Sequence, residues 1–211
     1  MVEGGAVSTD PSRPDEPTPL VFLKKLFAQT ESGRRLLEQA KASCTFQVPS
    51  DEATESYDVE IVQAIRQSNI DKLRDLAEHK SLNACNRFGE SLLHMACRRG
   101  DAKVVQFLLD QPSVTPNTRD DYGRLPVHDA FWTSQPNRPV LDLWLRKTSP
   151  ELLLSEDVRG HTPFHYSRKE HWEQWVEFLT EREEVILKRI ALAAGDSVDP
   201  KEDPVKVIKK P

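Results

Sequence analysis

Asn86-Arg-Phe-Gly-Glu-Ser-Leu-Leu-His-Met-Ala-Cys-Arg-Arg-Gly100 decides the fold of this chain, because variants of it return twice. Asp121-Tyr-Gly-Arg-Leu-Pro-Val-His-Asp-Ala130 is one, and Val158-Arg-Gly-His-Thr-Pro-Phe-His165 is the other. Glycines stand at Gly89, Gly123 and Gly160, each followed five residues later by a histidine, at His94, His128 and His165, so the intervals are 34 and 37 residues. Self-similarity at such a period is the signature of stacked units, each too small to bury its apolar face alone.

Beyond each histidine runs an apolar pattern with helical spacing. It reads Ala96, Cys97, Val104, Val105, Phe107, Leu108 and Leu109 in the first copy, and Trp175, Val176, Phe178 and Leu179 in the last. The middle copy offers Val140, Leu141, Leu143, Trp144 and Leu145 after a proline-containing insert at 134–139. This spacing marks one buried helical face. A degenerate copy precedes them: Ala64-Ile-Arg-Gln-Ser-Asn-Ile-Asp-Lys-Leu-Arg-Asp-Leu76 aligns with residues 96–108 at an offset of 32, without the glycine turn or the histidine. A first unit with no preceding neighbour needs a more polar outer face, so an atypical copy is expected there.

These residues resemble ankyrin repeats, whose hallmark is a β-turn, a T-P-L-H-x-A segment and two antiparallel helices. Thr162-Pro163-Phe164-His165 keeps the signature, whereas Ser91-Leu92 and Leu125-Pro126 depart from it and weaken the caps without moving the register. The resemblance implies an all-α repeat solenoid of helix–turn–helix units with β-turn tips, about four repeats over residues 56–186. It implies a protein–protein interaction scaffold or adaptor and no enzyme. It gives His94, His128 and His165 a hydrogen-bonding role inside the turns. Asn83 and Asn117, six residues before a repeat glycine, fall where such repeats carry a loop asparagine that bridges neighbouring turns and that is hydroxylated in some family members.

Composition narrows the function classes. The 211 residues suffice for one domain plus tails, with 37% hydrophobic and 30% charged residues, as suits an elongated stack. A net charge of -5 argues against a nucleic-acid binder, which would show a basic excess. Cys44, Cys85 and Cys97 form an odd set without disulfide or zinc spacing, which fits a reducing compartment. Cys97 fills a small apolar position and is expected inside. No apolar run approaches the ~18 residues that span a bilayer, and the N-terminus has no basic-then-apolar start. A monomer in the cytoplasm or nucleus, with no membrane partner, is the expectation.

Residues 1–19, with Pro11, Pro14, Pro17 and Pro19, read as a disordered tail. Residues 20–55 read as a helical cap and linker. Leu20, Val21, Leu23, Leu26 and Phe27 form one short apolar pattern and Leu36, Leu37 and Ala40 another, divided at Ser32-Gly33, with a linker at 45–55. The pair is expected to cap the first repeat. The alternative makes this apolar helix the docking element of a regulatory or structural subunit. Residues 187–211 read as a helix extension with charges on most faces, then a flexible tail.

Tests for chemistry return little. His161, His165 and His171 are better read as turn and packing residues than as metal ligands. His128 and Asp129 project about 100° apart on a helix and cannot face each other as a catalytic pair. The chain has no G-x-S-x-G elbow, no G-x-G-x-x-G and no P-loop, so no cofactor is expected.

A partner site follows from the resemblance, because ankyrin-like stacks bind through turn tips and the exposed face of the first helix of each repeat. Carried over residue by residue, that surface holds Arg87, Phe88, Arg98, Arg99, Tyr122, Arg124, Trp132 and Arg159. Trp, Tyr and Arg are the types enriched in interface hot spots, and Arg pairs bidentately with carboxylate or phosphate. An acidic or phosphorylated peptide or protein is the expected partner. Trp132 is expected to anchor it, since it follows Phe131 and successive helical positions cannot both face the core.

Overall fold

The structure is a computed structural model and describes residues 18–40, 48–133 and 135–196. Most of the tail expected at 1–19, part of the linker expected at 45–55, insert residue Ser134 and the tail beyond 196 lie outside the described residues. Those described form helices and turns without a strand; Cys85 and Ser91 make an isolated antiparallel bridge.

Four successive units build the stack, three of them helix pairs. The first is α4 (Val59–Arg66) and α5 (Ile70–Leu76), the second α6 (Leu92–Arg99) and α7 (Ala102–Leu109). The third is α8 (Pro126–Ala130) and α9 (Arg138–Lys147). In the fourth, a 3₁₀ turn at Pro163–Tyr166 replaces the first helix and α10 (Trp172–Glu181) is the second. Asp58, Asn69, Asp101 and Asn137 cap α4, α5, α7 and α9 with side-chain oxygens, satisfying N–H groups that have no partner within the helix. α6 ends at Gly100 in the left-handed conformation, φ 67°. Ser68 occupies the same register in the degenerate first unit and adopts φ 53° without being glycine.

The core is the apolar pattern read from the sequence. Leu92, Leu93, Ala96, Cys97, Val104, Val105 and Leu108 are buried, followed by Val127, Phe131, Val140, Leu141 and Trp144. Cys97 is inside as expected, and the Trp144 indole donates to its sulfur at 3.4 Å. Toward the last unit, Phe131 stacks on Trp175 (centroids 4.3 Å apart) and meets Phe164 edge-on.

The helical cap sits at the opposite end from the one expected. α1 (Pro19–Ala28) and α2 (Glu31–Ala40) pack on α10, on α11 (Glu183–Ala193) and on the 3₁₀ turn Pro150–Leu154, so they close the last unit rather than the first. Leu23, Leu26 and Phe27 are buried there, and the Ser32 hydroxyl donates to Asp196 at 2.5 Å. That burial also removes the apolar face on which the N-terminal docking alternative relied. The physical reason is that a buried stripe states how much surface must be covered, not which end of a stack covers it.

Three boundaries shift as well. The break between α1 and α2 falls at Gln29–Thr30, and Gly33 lies within α2, where a β-carbon would stand 2.0 Å from the Phe27 carbonyl oxygen. Part of the expected linker is a short helix, α3 (Asp51–Glu55), capped by Ser50. The expected extension beyond 186 is a distinct helix, because α11 begins after Arg182 and buries Val185, Ile186 and Ile190.

Candidate functional site

Three turns of one construction carry the surface. At residues 86–90, 120–124 and 157–161, a side-chain oxygen of Asn86, Asp120 or Asp157 accepts two backbone N–H groups. These come from Phe88 and Glu90 at 2.9 and 3.1 Å, Tyr122 and Arg124 at 3.0 and 2.8 Å, and Arg159 and His161 at 2.8 and 2.9 Å. Each turn reverses through a glycine with positive φ: 77° at Gly89, 73° at Gly123 and 74° at Gly160. At Gly160 the nearest atom to an added β-carbon is the Glu156 carboxylate at 3.9 Å, so there is room and only the backbone conformation resists. Gly160→Ala is therefore expected to cost about 1–2 kcal/mol in urea unfolding; an unchanged midpoint would show that the turn does not need its left-handed residue.

The repeat histidines tie the units together. The backbone N–H of Ser91, Leu125 or Thr162 donates to Nδ1 of His94, His128 or His165, each at 3.0 Å. Nδ1 thus accepts and the proton resides on Nε2. His94 Nε2 donates to the Arg124 carbonyl at 3.0 Å and His128 Nε2 to the His161 carbonyl at 3.2 Å, both in the following turn. Burial pushes the pKa of His94 and His128 from 6.5 down to about 4, so both rings are neutral near pH 7. His165 has no following unit and remains exposed.

The aromatic candidates stand where the sequence placed them. Phe88, Tyr122 and Trp132 retain 47%, 52% and 47% of their accessible surface. Arg87 lies over the Phe88 ring at 4.6 Å and Arg124 over Tyr122 at 5.1 Å. Arg98 and Arg124 both lie over Trp132, at 5.4 and 5.2 Å. Arg87, Phe88, Tyr122, Arg124 and Arg159 thus stand on the three turns, Arg98 on α6 and Trp132 just beyond the end of α8. Arg99, also on α6, donates from its guanidinium to the Arg66 carbonyl of the preceding unit at 2.7 Å.

Tyr166 and Asp157, which were not singled out in the sequence, belong to the site, as does Asp129, which was weighed there only as a catalytic partner of His128. The Tyr166 ring is 5.8 Å from Trp132, its hydroxyl donates to Asp157 at 2.5 Å, and Arg159 donates to that hydroxyl at 2.5 Å. Burial and the Asp157 carboxylate raise the Tyr166 pKa to about 12. The signal available was register, since Met95, Asp129 and Tyr166 each follow a repeat histidine.

Three arginines of the groove are held by carboxylates of the same chain. Arg98 pairs with Glu90 and, at 2.7 Å, with Asp129; Arg124 pairs with Asp120 at 2.6 Å; Arg159 pairs with Asp157 at 3.4 Å. Asp129 is fully buried, and its second oxygen has no protein partner. Burial lifts its pKa to about 6, against the pull of Arg98. The arginines are therefore oriented before any ligand arrives. A guanidinium carries five N–H donors, so these pairings do not exhaust its capacity.

Behind the turns a separate cavity of about 490 Å³ is lined by Asn83, Cys85, Asn117 and Arg119 among others. Asn83 accepts the Thr115 backbone N–H at 3.2 Å, bridging neighbouring units as such an asparagine is expected to do. Among the described residues, no group of three or more His, Cys, Asp or Glu is placed to hold a metal ion, and no helix is long and apolar enough to cross a membrane.

The comparisons with known proteins agree with this geometry. Residues 61–109, which take in most of the first two helix pairs, match the family model described as ankyrin repeats (many copies). Residues 61–109 carry ankyrin repeats, and the described residues fold as an all-α repeat stack. It is also similar to osteoclast-stimulating factor 1 of Monopterus albus, 36% identical over 64 residues, a stretch that covers 30% of this chain and 30% of that protein. The aligned portion thus spans less than a third of that relative's length.

Proposed function

We propose that the chain is a protein–protein interaction scaffold or adaptor that grips a partner polypeptide along the turn tips and inner helix face, with Trp132 as the central contact. Ankyrin repeats generally mediate contacts between proteins, and the family module is typically non-catalytic. The observation that carries the reading is the half-exposed Trp132, flanked by Arg98, Arg124 and Tyr166, each drawn from a different unit or turn. A partner side chain laid there desolvates an aromatic surface already fixed in place, so little ordering cost remains.

The finer reading is an acidic or phosphorylated segment. Its oxygens would take N–H donors that the arginines do not spend on their own carboxylates. Arg87, Arg98, Arg124 and Arg159 are the contacts proposed, with Phe88 and Tyr122 as apolar shoulders.

Once a captured partner is purified, Trp132→Ala is expected to weaken binary affinity by about 2 kcal/mol, close to thirtyfold, with the melting temperature unchanged. Raising salt should weaken binding further if the arginines meet anionic groups. Equal affinity for wild type and variant would sink the groove reading, and a variant that unfolds would place Trp132 in the core.

A further inference from the structure

The row of turns is a laddered surface, and its last rung is open. Two bonds join each turn to the next. Asp121 N–H donates to the Phe88 carbonyl at 2.8 Å and His94 Nε2 to the Arg124 carbonyl at 3.0 Å. One unit on, Val158 N–H donates to the Tyr122 carbonyl at 3.0 Å and His128 Nε2 to the His161 carbonyl at 3.2 Å. In the third turn the equivalent groups are the Arg159 carbonyl and His165 Nε2. Neither has a hydrogen-bond partner among the described residues. The backbone N–H of Thr162 fixes the His165 tautomer, so its Nε2 offers a proton outward. The helix layer is continued by α1 and α2, which cap the last unit, but no described turn continues the turn layer.

We propose that this open edge receives a β-turn from a partner protein, docked in the register of the chain's own turns. Its second residue would give a backbone N–H to the Arg159 carbonyl, and its fifth residue would accept the His165 Nε2 proton. The kind of turn is set by the two junctions already filled. Each arriving turn is headed by Asp and has Gly at its fourth position with positive φ, 73° at Gly123 and 74° at Gly160. The partner is thus a protein displaying an Asp-x-x-Gly hairpin loop. Aspartate suits the edge better than asparagine, because Arg159, His161 and His165 gather there, and Lys24 of α1 acts on His165 electrostatically. Main-chain pairing supplies the affinity in such strand-like additions, and the side chains supply selectivity. The edge shares Arg159 with the Trp132 groove but takes its backbone carbonyl, where the groove takes its guanidinium, and His165 belongs to the edge alone.

The test is an NMR titration of the full chain with a backbone-cyclised peptide carrying the sequence of residues 119–126, the turn that fills the equivalent position on the first turn, two units earlier. Saturable shifts are expected at Arg159, Gly160 and the His165 side chain. His165→Ala, and a peptide with Gly123→Ala, are each expected to bind about fivefold to tenfold more weakly, the worth of one hydrogen bond or one unfavourable φ. His165→Ala also removes the acceptor of the buried Thr162 N–H, so a lowered melting temperature is expected and its binding is compared with wild type well below both transitions, while the Gly123→Ala peptide leaves the protein itself unchanged. Shifts at Phe88 and Trp132 in place of Arg159, or no saturation, would overturn the proposal. So would a His165 Nε2 proton already protected from exchange in the free protein, which would mean the chain fills its own edge, or concentration-dependent self-association through the same residues.

Discussion

Replacing Phe27 by Ala is expected to lower the global unfolding free energy by about 3–5 kcal/mol. Phe27 is fully buried on α1, beside Leu23 and Leu26, and α1 and α2 are what cover α10 and α11. Deleting the ring removes transfer free energy and leaves a cavity against helices that cannot collapse independently. The informative readout is where the loss appears. In hydrogen exchange, protection should fall first in α10 and α11, the helices of the last unit, and least in α4 and α5. If Phe27→Ala instead left stability within ~0.5 kcal/mol of wild type, α1 would be a surface helix and its apolar face would again be free for a partner.

Acidification is the second large effect, and its sign follows from the histidine cages. His94 and His128 carry folded pKa values of about 4 against 6.5 when free. Between those values the unfolded chain binds more protons than the folded one, so stability rises with pH. It is fully present above about pH 6.5, declines as pH falls toward 4, and levels off below. At ~1.4 kcal/mol per pH unit for each site, the two rings are expected to remove roughly 3 kcal/mol each. Asp129 works in the other direction. Its folded pKa is raised to about 6 from 3.8, so it takes up a proton in the folded state first and offsets part of the loss between pH 6 and 4.

The decline should therefore be spread between pH 6.5 and 4, at about half the slope the two histidines alone would give once Asp129 is also titrating. In Asp129→Asn the offset disappears and the fall from pH 6 to 4 should steepen. Urea unfolding across pH 7.5 to 4 reads both curves. A flat profile from pH 7 to 5 in Asp129→Asn would mean that His94 and His128 are not held neutral inside. Asp157, which its hydrogen bonds to Tyr166 and the turn amides keep below the usual carboxylate range despite burial, adds a further loss only at the acid end.

Much of the site was legible because its parts are local. Glycine and histidine recur in each of the last three units, so a single chain shows them as a register, and Trp132 was picked out by its position beside Phe131. What stayed hidden involves partners about 30 or more residues away. Nothing adjacent to Arg98 announces Asp129, and nothing adjacent to Trp132 announces Tyr166. The surplus of arginine read from the groove sequence is real, but each guanidinium except those of Arg87 and Arg99 meets a carboxylate of its own chain. Charge counted along a sequence cannot show that cancellation.

By itself the sequence determined the repeat: where the turns reverse, which helical faces are apolar, and that units stack in chain order. Backbone conformation at a glycine and helical periodicity are short-range properties, and repetition multiplies their signal. Only the tertiary structure decided which end α1 and α2 close, how Ser32 meets Asp196, and which guanidinium is spent on which carboxylate. An apolar stripe or a charged side chain specifies the kind of neighbour it needs, and the path of the chain in space selects which neighbour arrives.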